Sequence, residues 1–163
     1  MTSVEKPRTT KVEGFADTNK IIASDRLKQG GKLLIIPFKA GAEVEASDEL
    51  NKITLMMVKG IAEELQASNV PFKILTSEDA DCAELIIKGH VVRMSKAGGI
   101  KKWLPGKNII NLKVVGVLLE RESQDRLAVF SMQKSLNESQ EDFKLLGYSL
   151  GKDIGRFIAS GLN

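Results

Sequence analysis

The sequence has little of the chemistry that small enzymes and metal proteins use. Its 163 residues include one cysteine and one histidine. A single cysteine excludes an intrachain disulfide and a zinc site built from thiolates. Neither a phosphate-binding glycine loop nor the Gly-x-Ser-x-Gly turn of serine hydrolases occurs. We therefore expect no metal site, no cofactor and no catalytic residue, and we predict that the protein is not an enzyme.

Aromatic residues, net charge and long apolar runs are also scarce. Aromatic residues make up 5% of the chain and the formal net charge is +3, without the long Lys/Arg block that indicates nucleic-acid binding. No segment approaches the roughly 20 apolar residues of a membrane-spanning helix. The first ten residues lack the apolar core of a signal peptide. The chain is thus either cytoplasmic or a mature exported domain with an added initiator Met.

The chain length suits one domain, which the polarity pattern places in the later part of the sequence. Residues 1–31 are polar and aperiodic and end in Gln29-Gly30-Gly31, so we predict a flexible N-terminal arm or linker. Within it, "IIASDRL" could form a short extra strand or turn. Residues 32–163 then form the single folded domain.

The first half of this domain reads as a strand, a helix and a second strand. "KLLIIPF" (32–38) is a nearly continuous apolar run, typical of a strand buried on both faces. Residues 47–69 show helical periodicity after a capping Ser47 or Asp48. Their predicted buried face consists of Leu50, Ile53, Met57, Ile61 and Leu65. "PFKILT" (71–76) follows, so the two strands should lie parallel if they share a sheet.

The second half predicts three antiparallel strands and a closing helix. The strands are 83–96, 108–122 and 126–135, joined as a meander. The helix lies within 137–163, where Asn137 and Gln140 have capping-box spacing. The predicted fold class is α+β: a two-layer sandwich with a mixed sheet of about five strands, in the order β-α-β-β-β-β-α, and two amphipathic helices on one face.

Three glycines recur every four residues in the last helix, at Gly147, Gly151 and Gly155. Each costs about 1 kcal/mol relative to alanine inside a helix, so the row needs a reason. Membrane helix dimers use this spacing, but the charged residues between these glycines rule out burial in lipid. We favour a close approach of this helix to the sheet or to the first helix. A helix–helix dimer contact is the alternative.

The segment "SKAGGIKKWLPGKN" (95–108) combines lysines, glycines and the single tryptophan without an acidic residue. It predicts a long hairpin connection, and two interpretations of Trp103 stay open. Trp103 either folds back onto the sheet, or it projects as an anchor toward an acidic partner, anionic lipid or glycan phosphate. The candidate binding residues are Arg93, Lys96, Lys101, Lys102, Trp103 and Lys107.

The same basic region also supports a second function, a nucleic-acid-binding module that uses the 93–113 hairpin. Lys113 extends the positive charge, and Trp103 offers one ring for stacking. Base-stacking platforms normally show several aromatic residues, so nucleic acid is the less favoured partner.

The order of segments resembles uncharacterised bacterial lipoprotein domains, which are similar in turn to the amino-terminal domain of TolB and to the curli-secretion lipoprotein CsgG. The resemblance covers about residues 32–160 and rests on "KLLIIPFKA", "DCAELIIKGHVVRM", "NIINLKVVGVLLERES" and "RLAVFSMQ". The first strand ends in Pro37 and Phe38, and a later strand reaches Gly89. The family often has an Arg and a glycine-rich run where this chain has "KKWLPGKN".

This resemblance implies a role outside catalysis. It implies an accessory or assembly domain of the bacterial envelope that acts through a protein partner or through self-association. The implied location is the periplasm or the outer membrane, with a lipidated cysteine as the tether and residues 1–31 as the linker that follows it. If Met1 is the native start, the expected location is the cytoplasm.

Overall fold

The computed structural model of the chain describes residues 19–96, 109–137 and 143–162. Seven strands and three α-helices lie within these ranges. In chain order they are β1 (Lys20–Ile21), α1 (Ser24–Gln29), β2 (Gly31–Ile35), β3 (Lys39–Ala40), α2 (Asp48–Ala67), β4 (Phe72–Ile74), the 3-10 helix Ser77–Cys82, β5 (Leu85–Lys96), β6 (Ile109–Glu120), β7 (Arg126–Asn137) and α3 (Phe143–Ser160).

The strands form one mixed sheet in the order β1-β7-β6-β5-β2-β4. Strand β2 is parallel to both β4 and β5, whereas β5, β6 and β7 form the predicted antiparallel meander. The short strand β3 pairs with β5 beyond the end of β2. The predicted α+β sandwich is confirmed. Besides the five predicted strands, the sheet contains two further strands of two residues each, β1 and β3.

Helix α2 begins where its sequence predicts. The Ser47 side chain accepts a hydrogen bond from the Leu50 backbone N–H at 3.0 Å, and two acidic residues occupy the first turn. Both features stabilise a helix N-terminus. The five apolar residues predicted to share a face are all buried: Leu50, Ile53, Met57, Ile61 and Leu65. This face anchors α2 on the sheet.

The glycine row of α3 faces α2. A Cβ atom on Gly147 would clash with the backbone of Ile53, and one on Gly151 would clash with the backbone of Met57. Gly60 of α2 makes a reciprocal approach to the α3 backbone. The contacts advance along both helices together, so α2 and α3 run in the same direction. The predicted close approach is confirmed, with the first long helix as the neighbour.

Two chain boundaries differ from the sequence prediction. Asn137, predicted as the cap of the last helix, is the final residue of β7, and the described part of α3 begins at Phe143. Residues 20–29, predicted as part of a flexible arm, pair with β7 through β1 and bury Leu27 fully. A turn of helix with one core leucine is a local signal too short to stand out from a polar segment. For residues 1–18, which lie outside the described residues, the arm stays a prediction.

Candidate functional site

The two faces of the sheet differ because both long helices pack on one of them. Side chains alternate along a strand, so successive residues of β6 belong to opposite faces. Val114 is fully buried under the helices, whereas its neighbour Val115 is half-buried on the other side. We call that other side the open face.

The strand register arranges the open face in rows, since residues that pair directly across strands project on the same side. In one row Lys39 pairs with His90, His90 with Val115, and Val115 with Ser131. The next row contains Lys88, Val117, Val129 and Lys20. Neighbouring strands lie about 4.8 Å apart, so the first row spans the width of a small molecule.

A groove of about 640 Å³ lies on these rows. Its apolar lining includes Val115 and Val117 from β6 and Val129 from β7. Its lining residues are Ile36, Pro37, Lys39, Lys88, Gly89, His90, Val115, Gly116, Val117, Arg126, Val129, Phe130 and Ser131. The groove therefore combines a valine floor with cationic groups at its margin.

Paired glycines and an aromatic layer support the groove from the helix side. Gly89 pairs with Gly116 across β5 and β6. A Cβ atom on Gly89 would come within 2.8 Å of the Phe38 ring, and one on Gly116 would come within 2.5 Å of the Phe130 ring. The two rings stack with centroids 6.1 Å apart. The missing side chains thus let aromatic rings lie directly against the sheet backbone beneath the groove.

Ser131 is a buried polar residue in the wall of the groove. It is 7% exposed, and its backbone N–H donates to Oδ1 of Asn19 at 2.7 Å. Its hydroxyl Oγ has no hydrogen-bond partner among the described residues. Buried hydroxyls are normally paired, so this one requires an explanation.

On β1, β3, β5, β6 and β7, the charged side chains of the described open-face rows are all cationic. They are Lys20, Lys39, Lys88, Arg93, Lys113 and Arg126, and His90 lies among them. Among the described residues, no carboxylate forms an ion pair with Lys88, Arg93 or Arg126. Positive charge concentrated on one surface attracts anions to it.

The described ion pairs lie elsewhere and hold elements together. Arg26 of α1 donates to Glu120 at the end of β6. This hydrogen bond, with a second from Ser123, holds the pKa of Glu120 below its ordinary value. On the helices, Tyr148 donates to Glu63, and this bond to an acidic partner raises the pKa of the Tyr148 hydroxyl. Neither group touches the groove.

The structure places only part of the predicted binding set. Arg93 is exposed on the open face next to the groove, and the backbone of Lys96 ends β5. Four predicted residues lie outside the described residues: Lys101, Lys102, Trp103 and Lys107. The two interpretations of Trp103 therefore stay predictions.

Sequence reasoning missed the groove itself. His90, the single histidine, is exposed and lines the groove. Lys39, Lys88 and Ser131 were not singled out. Alternation within "KGHVVR" and within "LKVVGV" could have indicated this face, because in each segment every second residue lies on the same side of the strand. On that side are cations and valines of two adjacent strands.

The described ranges contain no candidate metal site, since no three His, Cys, Asp or Glu side chains gather there as the ligands of a metal ion. None of the described helices has the length and apolar content needed to cross a membrane.

The fold is similar to solved structures although neither a family model nor a curated protein matches the sequence. The PelC dodecamer from Paraburkholderia phytofirmans superposes with a TM-score of 0.59 at 12% identity, over 87% of this chain and 96% of that one. Protein XCC0632 from Xanthomonas campestris, a DUF330 protein, gives 0.56 at 11% identity, over 90% and 95%. Lipoprotein GNA1162 from Neisseria meningitidis gives 0.50 at 10% identity, over 77% and 96%.

At these identities the similarity shows a common fold. The expected likeness to bacterial lipoprotein domains is thus confirmed for the fold. None of the three structures is TolB or CsgG, and the predicted resemblance to those two proteins is not shown.

Proposed function

We propose that this chain is a non-catalytic accessory domain of the bacterial cell envelope that acts by associating with proteins, including copies of itself. The observation that supports this most directly is the open face of the sheet. Two long helices cover one side, while the other presents half-buried valines among cationic side chains. An exposed apolar surface with a polar margin is typical of an interaction site.

The groove offers groups for holding a partner and lacks an arrangement for reaction. Apart from Lys39 and Lys88, the described lining residues that could serve as a base and a nucleophile are His90 and Ser131. They are separated by the whole of β6, which places their strands about 10 Å apart. A base must lie within about 3 Å of the nucleophile that it activates. This separation supports a binding role.

Assembly through this face is compatible with the charges of the chain. The segment Ser77–Cys82 carries Glu78, Asp79 and Asp81 on an exposed turn. A basic face on one copy and an acidic segment on the next can pair head to tail, the arrangement that builds rings. PelC, which shares the fold, is a dodecamer. We propose that the present chain also assembles from several copies, through its basic face and its acidic segment.

Sedimentation velocity over a range of protein concentrations tests self-association. We expect oligomers at low salt that dissociate as salt rises, because the attraction is between exposed charges. Arg93→Glu should weaken the association, whereas Lys52→Glu, which makes the same charge change on α2, should leave it intact. A chain that stays monomeric at every concentration in low salt would refute the self-association.

Location in the envelope needs a separate experiment. GNA1162, which shares the fold, is a lipoprotein, and we propose a lipid-anchored location for this chain as well. Cells expressing the native gene with its own upstream sequence should yield the protein in the membrane fraction, from which detergent releases it. Recovery in the cytoplasmic fraction would contradict this proposal and support Met1 as the native start.

Nucleic acid remains the less favoured partner. The open-face rows among the described residues supply cations, but valines stand where a base-binding sheet presents aromatic rings. Binding of single-stranded oligonucleotides at physiological salt would reverse this preference.

A further inference from the structure

We infer that the open-face groove binds an anionic amphiphile: a small molecule with an apolar body on the valines and a carboxylate or phosphate head beside Lys39, Lys88 and His90. This binding goes beyond the proposed function because it requires no protein partner. The inference rests on four features: the size of the groove, its valine floor, its cationic corner (Lys39, Lys88 and His90), and the Ser131 hydroxyl, which has no partner within the described part of the chain.

The size of the groove suits a small molecule. Its volume of about 640 Å³ falls within the range of roughly 300–1,000 Å³ that is usual for small-molecule sites. Such sites are mostly apolar and contain a few polar groups that orient the ligand. The groove has this composition, since Ile36, Val117 and Val129 line it together with a small number of polar side chains.

The valine floor requires an apolar partner. Val115, Val117 and Val129 are adjacent across β6 and β7, and each is half-buried. Water covers this continuous apolar strip when the groove is empty. An alkyl chain lying along the strip would remove both surfaces from water, which is the main driving force for such binding.

The cationic corner selects the sign of the head group. Lys88 and His90 are two residues apart on β5 and therefore project on the same face, and Lys39 lies directly opposite His90. All three side chains are exposed and line the groove. A carboxylate or phosphate accepts hydrogen bonds from all three, and charge-assisted hydrogen bonds are stronger than neutral ones. A cationic head group would be repelled.

Ser131 adds an independent sign of a ligand. Its Oγ is buried in the opposite wall and has no partner among the described residues. Ser131 lies two strands from His90 in the same row, so their backbones are about 10 Å apart. We assign it a hydrogen bond to a second, neutral polar atom of the ligand, such as a hydroxyl or carbonyl along the chain.

Calorimetric titration of the full chain with four ten-carbon probes tests this assignment. Decanoate and decyl phosphate present the two anionic heads, decanol is neutral, and ω-hydroxydecanoate adds a distal hydroxyl. Below their aggregation concentrations, we expect saturable binding of an anionic probe and at least about tenfold weaker binding of decanol. Binding of decanoate alone indicates a fatty-acid source, and binding of decyl phosphate alone indicates a phospholipid headgroup.

Matched variants locate the binding in the groove. Lys39→Gln combined with Lys88→Gln should weaken the anionic probe by about tenfold or more. Lys52→Gln combined with Lys59→Gln removes two charges from α2 and should change nothing. Ser131→Ala should weaken ω-hydroxydecanoate while leaving decanoate unchanged. Circular dichroism spectra of all variants should match the parent.

Three outcomes would overturn the inference. They are the absence of saturable binding by any anionic probe, equal affinity for decanol and decanoate, and an equal loss of affinity in the α2 control variant. If poly-glutamate bound the face and no amphiphile did, the occupant would be an acidic polypeptide. Self-association without uptake of an amphiphile would refute this inference alone, whereas uptake by a strictly monomeric chain would refute only the proposed self-association.

Discussion

The two faces of the sheet differ in what covers them: helices pack on one face, and the other is open. On the helix-covered face, apolar side chains and glycines bring α2, α3 and the strands into close contact. On the open face, the same strands present a valine groove surrounded by cations. Val114 and Val115 are neighbours in the chain and belong to opposite sides of this division. The comparison shows that a single set of strands carries the buried core on one face and the groove on the other.

The largest effect should come from filling the helix–helix contact. Gly151→Leu forces a bulky side chain against the backbone of Met57, and overpacking without room to move should destabilise the fold by about 3 kcal/mol or more. Gly151→Ala should also destabilise, by about 1 kcal/mol, because the obstructing atoms are backbone and outweigh the better helix propensity of alanine. Urea denaturation measures both.

Gly155 provides the matched control. A Cβ atom there would lie 2.8 Å from the Glu64 Cβ and 3.1 Å from the Ile61 carbonyl oxygen, a smaller overlap with backbone than at Gly151. Gly155→Ala should therefore destabilise less than Gly151→Ala. If Gly151→Ala proves as mild as Gly155→Ala, the helices are not held at the close distance inferred here. A change of oligomeric state with an unchanged melt would favour the dimer interpretation of the glycine row.

A paired substitution within β6 tests the division of the sheet directly. Val114→Ala leaves a cavity under the helices and should cost about 2 kcal/mol. Val115→Ala removes the same atoms from the half-exposed side and should cost less than about 1 kcal/mol. Chemical denaturation of both variants gives the comparison. Equal costs would mean that something covers the open face in the native protein.

A smaller effect on stability is expected from the pH dependence of the ion pair between Arg26 and Glu120, at the end of β6. The bond from Arg26 lowers the pKa of Glu120 in the folded state, so its stabilisation is complete above the ordinary carboxyl pKa. That stabilisation is lost as the pH falls through the lowered value. Glu120→Gln should therefore destabilise at neutral pH and converge with the parent as the pH falls below the lowered pKa of Glu120.

Denaturant midpoints across this pH range provide the measurement. Glu122→Gln changes an exposed carboxylate in the same turn that forms no ion pair among the described residues, and it serves as the control. A parent–variant difference for Glu120 that does not shrink toward low pH would argue against the role of the Arg26 bond.

The smallest effect is expected on the outer surface of α2. Leu55 is 57% exposed, so Leu55→Ser removes little buried surface. The unfolding free energy should change by less than about 0.5 kcal/mol. A larger loss, or a shift in sedimentation, would assign Leu55 to a contact with another molecule.

Element type and most of the core could be predicted, because periodicity is a local property of the chain. The five apolar positions of α2 and the parallel pairing of β2 with β4 are examples. The sequence failed where the deciding neighbour is remote. Asn137 has capping-box spacing, but pairing with Ile109 makes it part of a strand. Leu27 is a lone apolar residue in a polar stretch, and only the core that receives it makes its segment structural.

The groove marks the limit of sequence reasoning for the candidate site. The basic segment 95–108 was prominent because its residues are adjacent in the chain, and most of it lies outside the described residues. Lys39 and Ser131 are 92 positions apart in the chain, and with His90 they become one row through the pairing of four strands. Local alternation assigns each of them to one side of its own strand, but it does not show that the three side chains share a row.

The sequence by itself determined the α+β class, the direction of the main strands, the amphipathic helices and the scarcity of catalytic chemistry, because composition and periodicity act within a few residues. Only the tertiary structure decided that α3 packs its glycines on α2 and that the cations, valines and Ser131 meet on an open face. Those arrangements depend on strand register and helix placement, which are set by the packing of the whole core rather than by any one segment.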